Sequence, residues 1–236
     1  MKKRIIAIGG GEIKDKTTLQ IDEKIAAFAK ERAGDRRANA LFIPTASHDF
    51  MPYYNSFHKV YTGIFDIKTD VALTVYREPD PERLKEKFLK ADVIYVGGGD
   101  TVFMLEHWKK SGMLDLIKEA YERGVIVCGL SAGAICWFEE MYTDSPEVLQ
   151  DDSYAIFPGL NWIKGIISPH YGRRVLDFDE IILYNKKAAV GLEDLSAVEI
   201  SNGKIVRSLS FGGNAYNICC DNGELIKSVI QPCTVL

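Results

Sequence analysis

The sequence predicts an α/β fold: a doubly wound, mostly parallel sheet with β-hairpins toward the C-terminal end. Three observations predict it. Short apolar runs rich in β-branched residues alternate with amphipathic helical stretches over the first two-thirds of the chain, the pattern of strands covered by helices on both faces. Three of those runs end in glycine clusters, at Gly9–Gly11, Gly97–Gly99 and Gly129–Gly133. Two Asn-Gly pairs, at 202–203 and 222–223, each lie between apolar alternations, the strongest short signal for a hairpin.

Taken in order, Arg4 to Ile8 reads as a first strand that stops at Gly9-Gly10-Gly11. Ile21, Ile25 and Phe28 fall at helical spacing and predict a helix from Ile21 to Ala33, closed before Gly34. Ala40 to Ile43 is a second strand, broken by Pro44, and Met51 to Tyr61 a helix with an aromatic face. Asp70 to Val75 is a third strand. Asp80-Pro81 then opens a helix to Lys90, with Asp as the cap and Pro at the first helical position. Val93 to Val96 is the fourth strand, followed by helices over 101–110 and 113–122, with Gly124 as the stop. Val125 to Cys128 is the fifth strand and Ala132 to Glu139 the helix after it. Crossovers of this kind are right-handed. Beyond residue 140 the pattern changes: 140–165 looks irregular, Ile166-Ile167 is a short strand, 175–187 a helix, and hairpins follow from 189. With no Pro-, Gly- or Ser-rich linker and no internal repeat, residues 1–236 are expected to form one domain.

Composition narrows the function. A chain of 236 residues, 47% hydrophobic and 26% charged, is ordinary for a globular protein. Its net charge of −4 argues against a nucleic-acid or anionic-membrane partner, which would favour a basic face. No apolar run approaches the roughly 18 residues of a membrane span. Met1-Lys2-Lys3-Arg4 is basic, but Ile5 to Ile8 is too short for a signal h-region. Cys128, Cys136, Cys219, Cys220 and Cys233 are odd in number and lack CxxC spacing, so neither zinc nor a disulfide framework is expected. The reading is a cytoplasmic protein, with Cys128 and Cys136 as small core residues.

In an open parallel sheet, ligands bind beyond the carboxyl ends of the strands, where the three glycine clusters fall. Gly9-Gly10-Gly11-Glu12-Ile13-Lys14 puts Lys14 where a dinucleotide fingerprint needs its last glycine. Gly129-Leu130-Ser131-Ala132-Gly133 fits GxSxG between a strand and a helix. There the flanking small residues leave the serine hydroxyl exposed on a strained elbow, and the helix N-terminus favours a developing oxyanion. A serine needs a base, and the chain has four histidines. His107 lies within a helix and His58 on the aromatic helix, both suited to packing. His48, in Thr-Ala-Ser-His-Asp, is a minor candidate. His170, in Ile-Ile-Ser-Pro-His-Tyr-Gly, follows a short strand on a loop fixed by Pro169 and is the preferred base.

Tyr-Val-Gly-Gly-Gly-Asp-Thr (95–101), Gly-Leu-Ser-Ala-Gly-Ala (129–134), Pro-His (169–170) and Gly-Leu-Glu-Asp-Leu-Ser-Ala (191–197) together resemble the dipeptidase E and cyanophycinase family of serine peptidases, over about residues 5 to 215. The resemblance implies a flavodoxin-like sheet related to class I glutamine amidotransferases, with serine replacing their cysteine, and cleavage beside an aspartyl or β-aspartyl unit without metal or cofactor. It implies Ser131 as nucleophile, His170 as general base and acid, Gly99 and Ala132 as oxyanion donors, and Asp100 as the cap of the next helix. For the third triad member it points to Asp194, with Glu193 beside it, and to Asp144 as the alternative. The chain departs from dipeptidase E after the histidine, where a longer loop carrying Gly-His-x-Gly-Glu-Thr-Arg gives way to His170-Tyr171-Gly172-Arg173-Arg174. Arg173 and Arg174 are candidates for bidentate binding of a substrate carboxylate. The expectation is a serine peptidase of small peptides acting through an acyl-enzyme on Ser131, with a homodimer left open. An esterase or amidase with the same elbow, or a silent binding protein on this scaffold, is the alternative.

Overall fold

The structure, a computed structural model, describes residues 2–76, 78–145 and 153–232. Four apolar runs and one polar edge strand form the parallel part of a first sheet: β1 (Arg4–Ile8), β2 (Asn39–Ile43), the edge strand β3 (Lys68–Val71), β4 (Val93–Val96) and β5 (Ile126–Leu130). They stand in the order β1-β5-β4-β2-β3. The intervening helices are α1 (Leu19–Ala33), α2 (Met51–Gly63), α3 (Pro81–Lys90), α4 (Thr101–Ser111) and α5 (Met113–Glu122). Strand side chains alternate between two faces. Ile6, Ile8, Phe42, Tyr95 and Cys128 pack with Ile21 and Ile25 of α1 and Phe57 and Tyr61 of α2. Ile5, Ala7, Leu41, Ile94 and Val127 pack on the other side with Phe88, Trp108 and Ile117 of α3 to α5. That is the doubly wound arrangement.

The chain then makes one helical turn, α6 (Ala132–Ile135), and enters a second sheet. Its strands are β6 (Phe138–Thr143), β7 (Ala155–Pro158), β8 (Ile163–Ser168), β9 (Ala189–Leu192), β12 (Ala215–Asp221) and β13 (Glu224–Val229), in the order β13-β12-β9-β8-β6-β7. Between β9 and β12, β10 (Ala197–Ser201) and β11 (Lys204–Ser208) return to the first sheet, where β10 pairs antiparallel with β1. β8 runs parallel to β6 and β9. Met141, Ile167, Val190 and Leu192 of this sheet share a core with Ile5, Val96 and Trp108 of the first. Its other face is covered by α7 (Tyr171–Asn185), through Tyr171, Phe178 and Ile182.

Several expectations are corrected here. The stretch 140–165 contributes strands on both sides of residues 146–152, which lie outside the described residues, as does Cys233. The helix expected from Ala132 to Glu139 is a single turn, because Trp137 Nε1 donates to the Gly133 carbonyl at 2.8 Å and the aromatic run after it pairs as β6. The third strand ends at Val71, since the N–H groups of Thr74 and Val75 both donate to Asp49 Oδ2 at 2.7 Å. α7 starts at Tyr171, four residues earlier than expected, directly after His170. Both Asn-Gly pairs make hairpins. Asn202 and Gly203 (φ 50° and 76°) and Asn222 and Gly223 (φ 51° and 85°) take the left-handed angles of the turn that matches strand twist. The four described cysteines are thiols, Cys128 and Cys136 buried. Among the described residues no helix is long and apolar enough to cross a membrane, and no group of three or more His, Cys, Asp and Glu is placed to hold a metal ion.

Candidate active site

β5 ends at Leu130, and the chain turns through Ser131 at φ 52°, ψ −109°. An L-residue avoids these angles, and the strain is on the order of 1–3 kcal/mol. Tertiary contacts hold it. Ser131 N donates to the Ile8 carbonyl at 2.9 Å. A Cβ on Gly129 would collide with the backbone of Gly133, and one on Gly133 with the backbone of Val96. Gly129 is therefore required by close packing against α6 and Gly133 by close packing against β4.

His170 follows β8 and Pro169 in a left-handed conformation (φ 51°, ψ 34°). Its Nε2 lies 3.0 Å from Ser131 Oγ, and its Nδ1 lies 2.5 Å from Asp194 Oδ1. Asp194 is a carboxylate and only accepts, so Nδ1 carries the proton and Nε2 offers a lone pair to the serine hydroxyl. Arg173 Nη2 donates to the other carboxylate oxygen, Oδ2, at 2.6 Å. Burial lowers the pKa of His170, with the charges of Arg174 and Arg173 adding to it and Asp194 opposing. The imidazole is thus neutral near pH 7. Burial alone would raise the Asp194 carboxyl, but hydrogen bonds from His170 and Arg173 outweigh it and hold the group below its ordinary value. A serine, a neutral imidazole in the required tautomer and an ionised carboxylate in one hydrogen-bonded chain can generate an alkoxide-like nucleophile.

Asp144 stands elsewhere: its Oδ1 accepts from Arg174 Nη2 at 3.2 Å. Arg174 is 5% exposed. Its Nη1 donates to the Tyr142 carbonyl at 3.0 Å, its guanidinium lies 4.2 Å over the Tyr154 ring, and its Nε has no partner among the described residues. Arg173 is mostly exposed and engaged with Asp194. Gly99 has φ 139°, and a Cβ there would strike the Ala46 carbonyl, which accepts from Asp100 N at 2.8 Å. Gly99 lines the space beside Ser131, and Ala132 opens α6 next to it. Asp100 caps α4 by accepting from Phe103 N at 3.0 Å and also takes Ser145 Oγ at 2.6 Å.

The remaining histidines have structural partners. His48 packs on Phe103 with ring centroids 4.1 Å apart. His58 Nδ1 lies 2.6 Å from Thr69 Oγ1, and His107 Nε2 lies 2.9 Å from the Thr74 carbonyl.

Two cavities meet at Ser131 and His170. One, of about 500 Å³, is lined by His48, Asp144, Tyr154, Arg173 and Arg174. The other, of about 710 Å³, has walls that include Lys14, Phe50, Tyr53, Lys59 and Leu130. Sequence reasoning missed that second wall. Phe50 and Tyr53 sit at the start of an aromatic helix whose other rings are core, and nothing in the pattern separates the two roles.

Residues 5–208 match the sequence model of Peptidase family S51. The chain belongs to peptidase family S51. Membership makes it a serine-type peptidase, in agreement with the motifs that carried the resemblance. This S51 peptidase is 32% identical over 233 residues to "Uncharacterized peptidase YgaJ" of Bacillus subtilis (strain 168), covering 95% of this chain and 96% of that one. It is 30% identical over 200 residues to "Peptidase E" of Shewanella baltica (strain OS185), covering 78% and 79% of the two chains. Its fold matches the crystal structure of a peptidase from an acI-B1 Actinobacterium with a TM-score of 0.70 at 16% identity, over 98% of this chain and 95% of that one. The likeness to that structure carries the α/β fold.

Proposed function

We propose that this S51 peptidase hydrolyses small peptides after an acidic, aspartyl-type residue, through an acyl-enzyme on Ser131. The observation that carries the reading is the chain Ser131 Oγ–His170–Asp194, with links of 3.0 and 2.5 Å. His170 Nε2 takes the serine proton as Oγ attacks the scissile carbonyl. The N–H groups of Gly99 and Ala132 stabilise the oxyanion. His170 then passes its proton to the leaving amine, and water, activated by the same imidazole, releases the acid and frees Ser131.

Specificity follows from the two cavities. The smaller one is lined by His48, Arg173 and Arg174, and that cationic chemistry favours a carboxylate side chain. The larger one has mixed walls, with apolar surface from Phe50, Pro52, Tyr53 and Leu130 to take the leaving residue. Cavities of these sizes favour short peptides over folded substrates. A cytoplasmic location fits the four described thiols.

The test is a panel of dipeptides with N-terminal Asp, Glu and neutral residues, with simple esters alongside, assayed on wild type and Ser131→Ala. The expected result is cleavage of the aspartyl peptides by wild type alone, together with fluorophosphonate labelling at Ser131 seen by intact mass. Full activity in Ser131→Ala would overturn the mechanism, and preference for esters or neutral dipeptides would overturn the specificity.

A further inference from the structure

The run Gly9-Gly10-Gly11 lacks the dinucleotide fingerprint, yet it lies at the centre of the site. Three successive carbonyls leave the end of β1. Ile8 O accepts from Ser131 N at 2.9 Å, Gly9 O from His170 N at 3.1 Å, and Gly10 O from Leu195 N, the residue after Asp194, at 3.0 Å. Ser131 arrives from β5 of the first sheet, His170 and Asp194 from β8 and β9 of the second. One three-residue stretch therefore fixes the relative positions of three segments that are distant in the chain.

Gly10 has a second property. A Cβ built on it would lie 2.5 Å from His170 Nδ1 and 2.6 Å from Cε1, and closer still to Asp194 Oδ1. No side chain fits there while the imidazole and carboxylate stay paired. Gly11 takes a φ of 129°, but Gly10 is not among the positive-φ glycines, so space against the pair, and not backbone conformation, demands glycine at position 10.

We infer that Gly10 is a positioning residue: by lacking a side chain it lets His170 and Asp194 lie against the end of β1, where the carbonyls of residues 8–10 set their place relative to Ser131. The inference rests on the reading that these three residues carry the reaction.

The test is Gly10→Ala, alone and combined with Asp194→Asn, with Gly159→Ala as a control whose Cβ would strike the Phe138 carbonyl instead. Gly10→Ala is expected to lower kcat on the order of a hundredfold, as misplacement of reacting groups by about 1 Å does, with KM little changed. The downfield Nδ1 proton resonance of His170 is expected to disappear, while Gly159→Ala keeps both kcat and that resonance. In the double variant the losses do not multiply: it is no slower than Asp194→Asn alone. Wild-type kcat in Gly10→Ala, an undisturbed resonance, or multiplying losses overturns the inference. If Gly10→Ala does not fold, amide exchange in the wild type decides: Ser131, His170 and Leu195 are expected to exchange as slowly as the β1 core, and loop-like exchange at any of them overturns it. The underlying reading fails separately, when Ser131→Ala or Asp194→Asn retains activity.

Discussion

Arg173 Nη2 sits 2.6 Å from Asp194 Oδ2, the carboxylate oxygen that His170 leaves unused. The Arg173 side chain is 70% exposed, so the pair adds little to stability. What it does is hold the plane of the carboxylate, so that Oδ1 keeps facing the imidazole. The sequence offers Arg173 as a candidate for a substrate carboxylate, and here its guanidinium pairs with Asp194, the acid of the proposed triad.

Replacing that arginine is expected to move the pH profile. The charged groups facing His170 are Asp194, Arg173 and Arg174. The positive charge of Arg173 disfavours the imidazolium, so Arg173→Gln lets His170 take its proton more readily. The acid limb of kcat/KM then shifts to higher pH, by a fraction of a unit because the group is exposed, and the shift shrinks in high salt. Profiles of the two proteins at low and high ionic strength check this, and coincident acid limbs would refute it.

The two candidate carboxylates separate by kinetics. An amide in place of a triad carboxylate costs about 10⁴ in kcat in serine proteases, and Asp194→Asn is expected to fall near that figure. Asp144→Asn is expected to act on KM far more than on kcat, because Asp144 faces Arg174. Steady-state constants for both variants decide, and a larger kcat loss in Asp144→Asn would exchange the roles.

Arg174→Met tests the carboxylate site. A charge-assisted hydrogen bond contributes about 1.5–3 kcal/mol, so KM for an aspartyl dipeptide is expected to rise roughly ten- to a hundredfold. A neutral dipeptide, if cleaved at all, changes less. The variant also strips the Tyr142 carbonyl of its donor, and Tm should drop by a few degrees. Equal KM changes for acidic and neutral peptides would remove Arg174 from recognition.

Asp22 offers a stability test away from the chemistry. It is 1% exposed, accepts from Thr18 Oγ1 at 2.7 Å and from the Tyr61 hydroxyl at 3.0 Å, and burial raises its pKa from 3.8 to about 6. The folded state therefore binds this proton more tightly than the unfolded state does. The stabilisation is complete below about pH 3.8 and is lost as pH rises through about 6. At neutral pH the charge costs on the order of 3 kcal/mol. Asp22→Asn is expected to be more stable than wild type at pH 8, with the difference closing toward pH 4. Urea denaturation at the two pH values measures it, and a pH-independent difference would contradict the shift.

The centre of the first sheet was legible because β1, β2, β4 and β5 are buried on both faces and read as apolar runs between patterned helices. The second was hidden. β6 carries Glu139 and Glu140 among its aromatics, and β7 is four residues at a sheet edge, so neither shows a clear period of two. The buried run after Ser131 has no periodicity to tell a helix from a strand, and it read as one long helix. Ser131 and His170 were accessible through a five-residue motif and a short list of histidines. The preference for Asp194 over Asp144 rested on the family resemblance alone, because spacing along the chain says nothing about which loop crosses the imidazole. The part played by Gly10 depends on contacts among four distant segments and leaves only a glycine as its trace.

Ser131, the proposed nucleophile, hangs from one β-layer, while His170 and Asp194, its proposed base and acid, hang from another. A slip between the layers of about 1 Å, far too small to count as melting, is enough to open a 3.0 Å proton-transfer link. Turnover in this molecule is therefore a gauge of interlayer registry, and gentle heating should silence cleavage before ellipticity or tryptophan fluorescence reports any loss of structure.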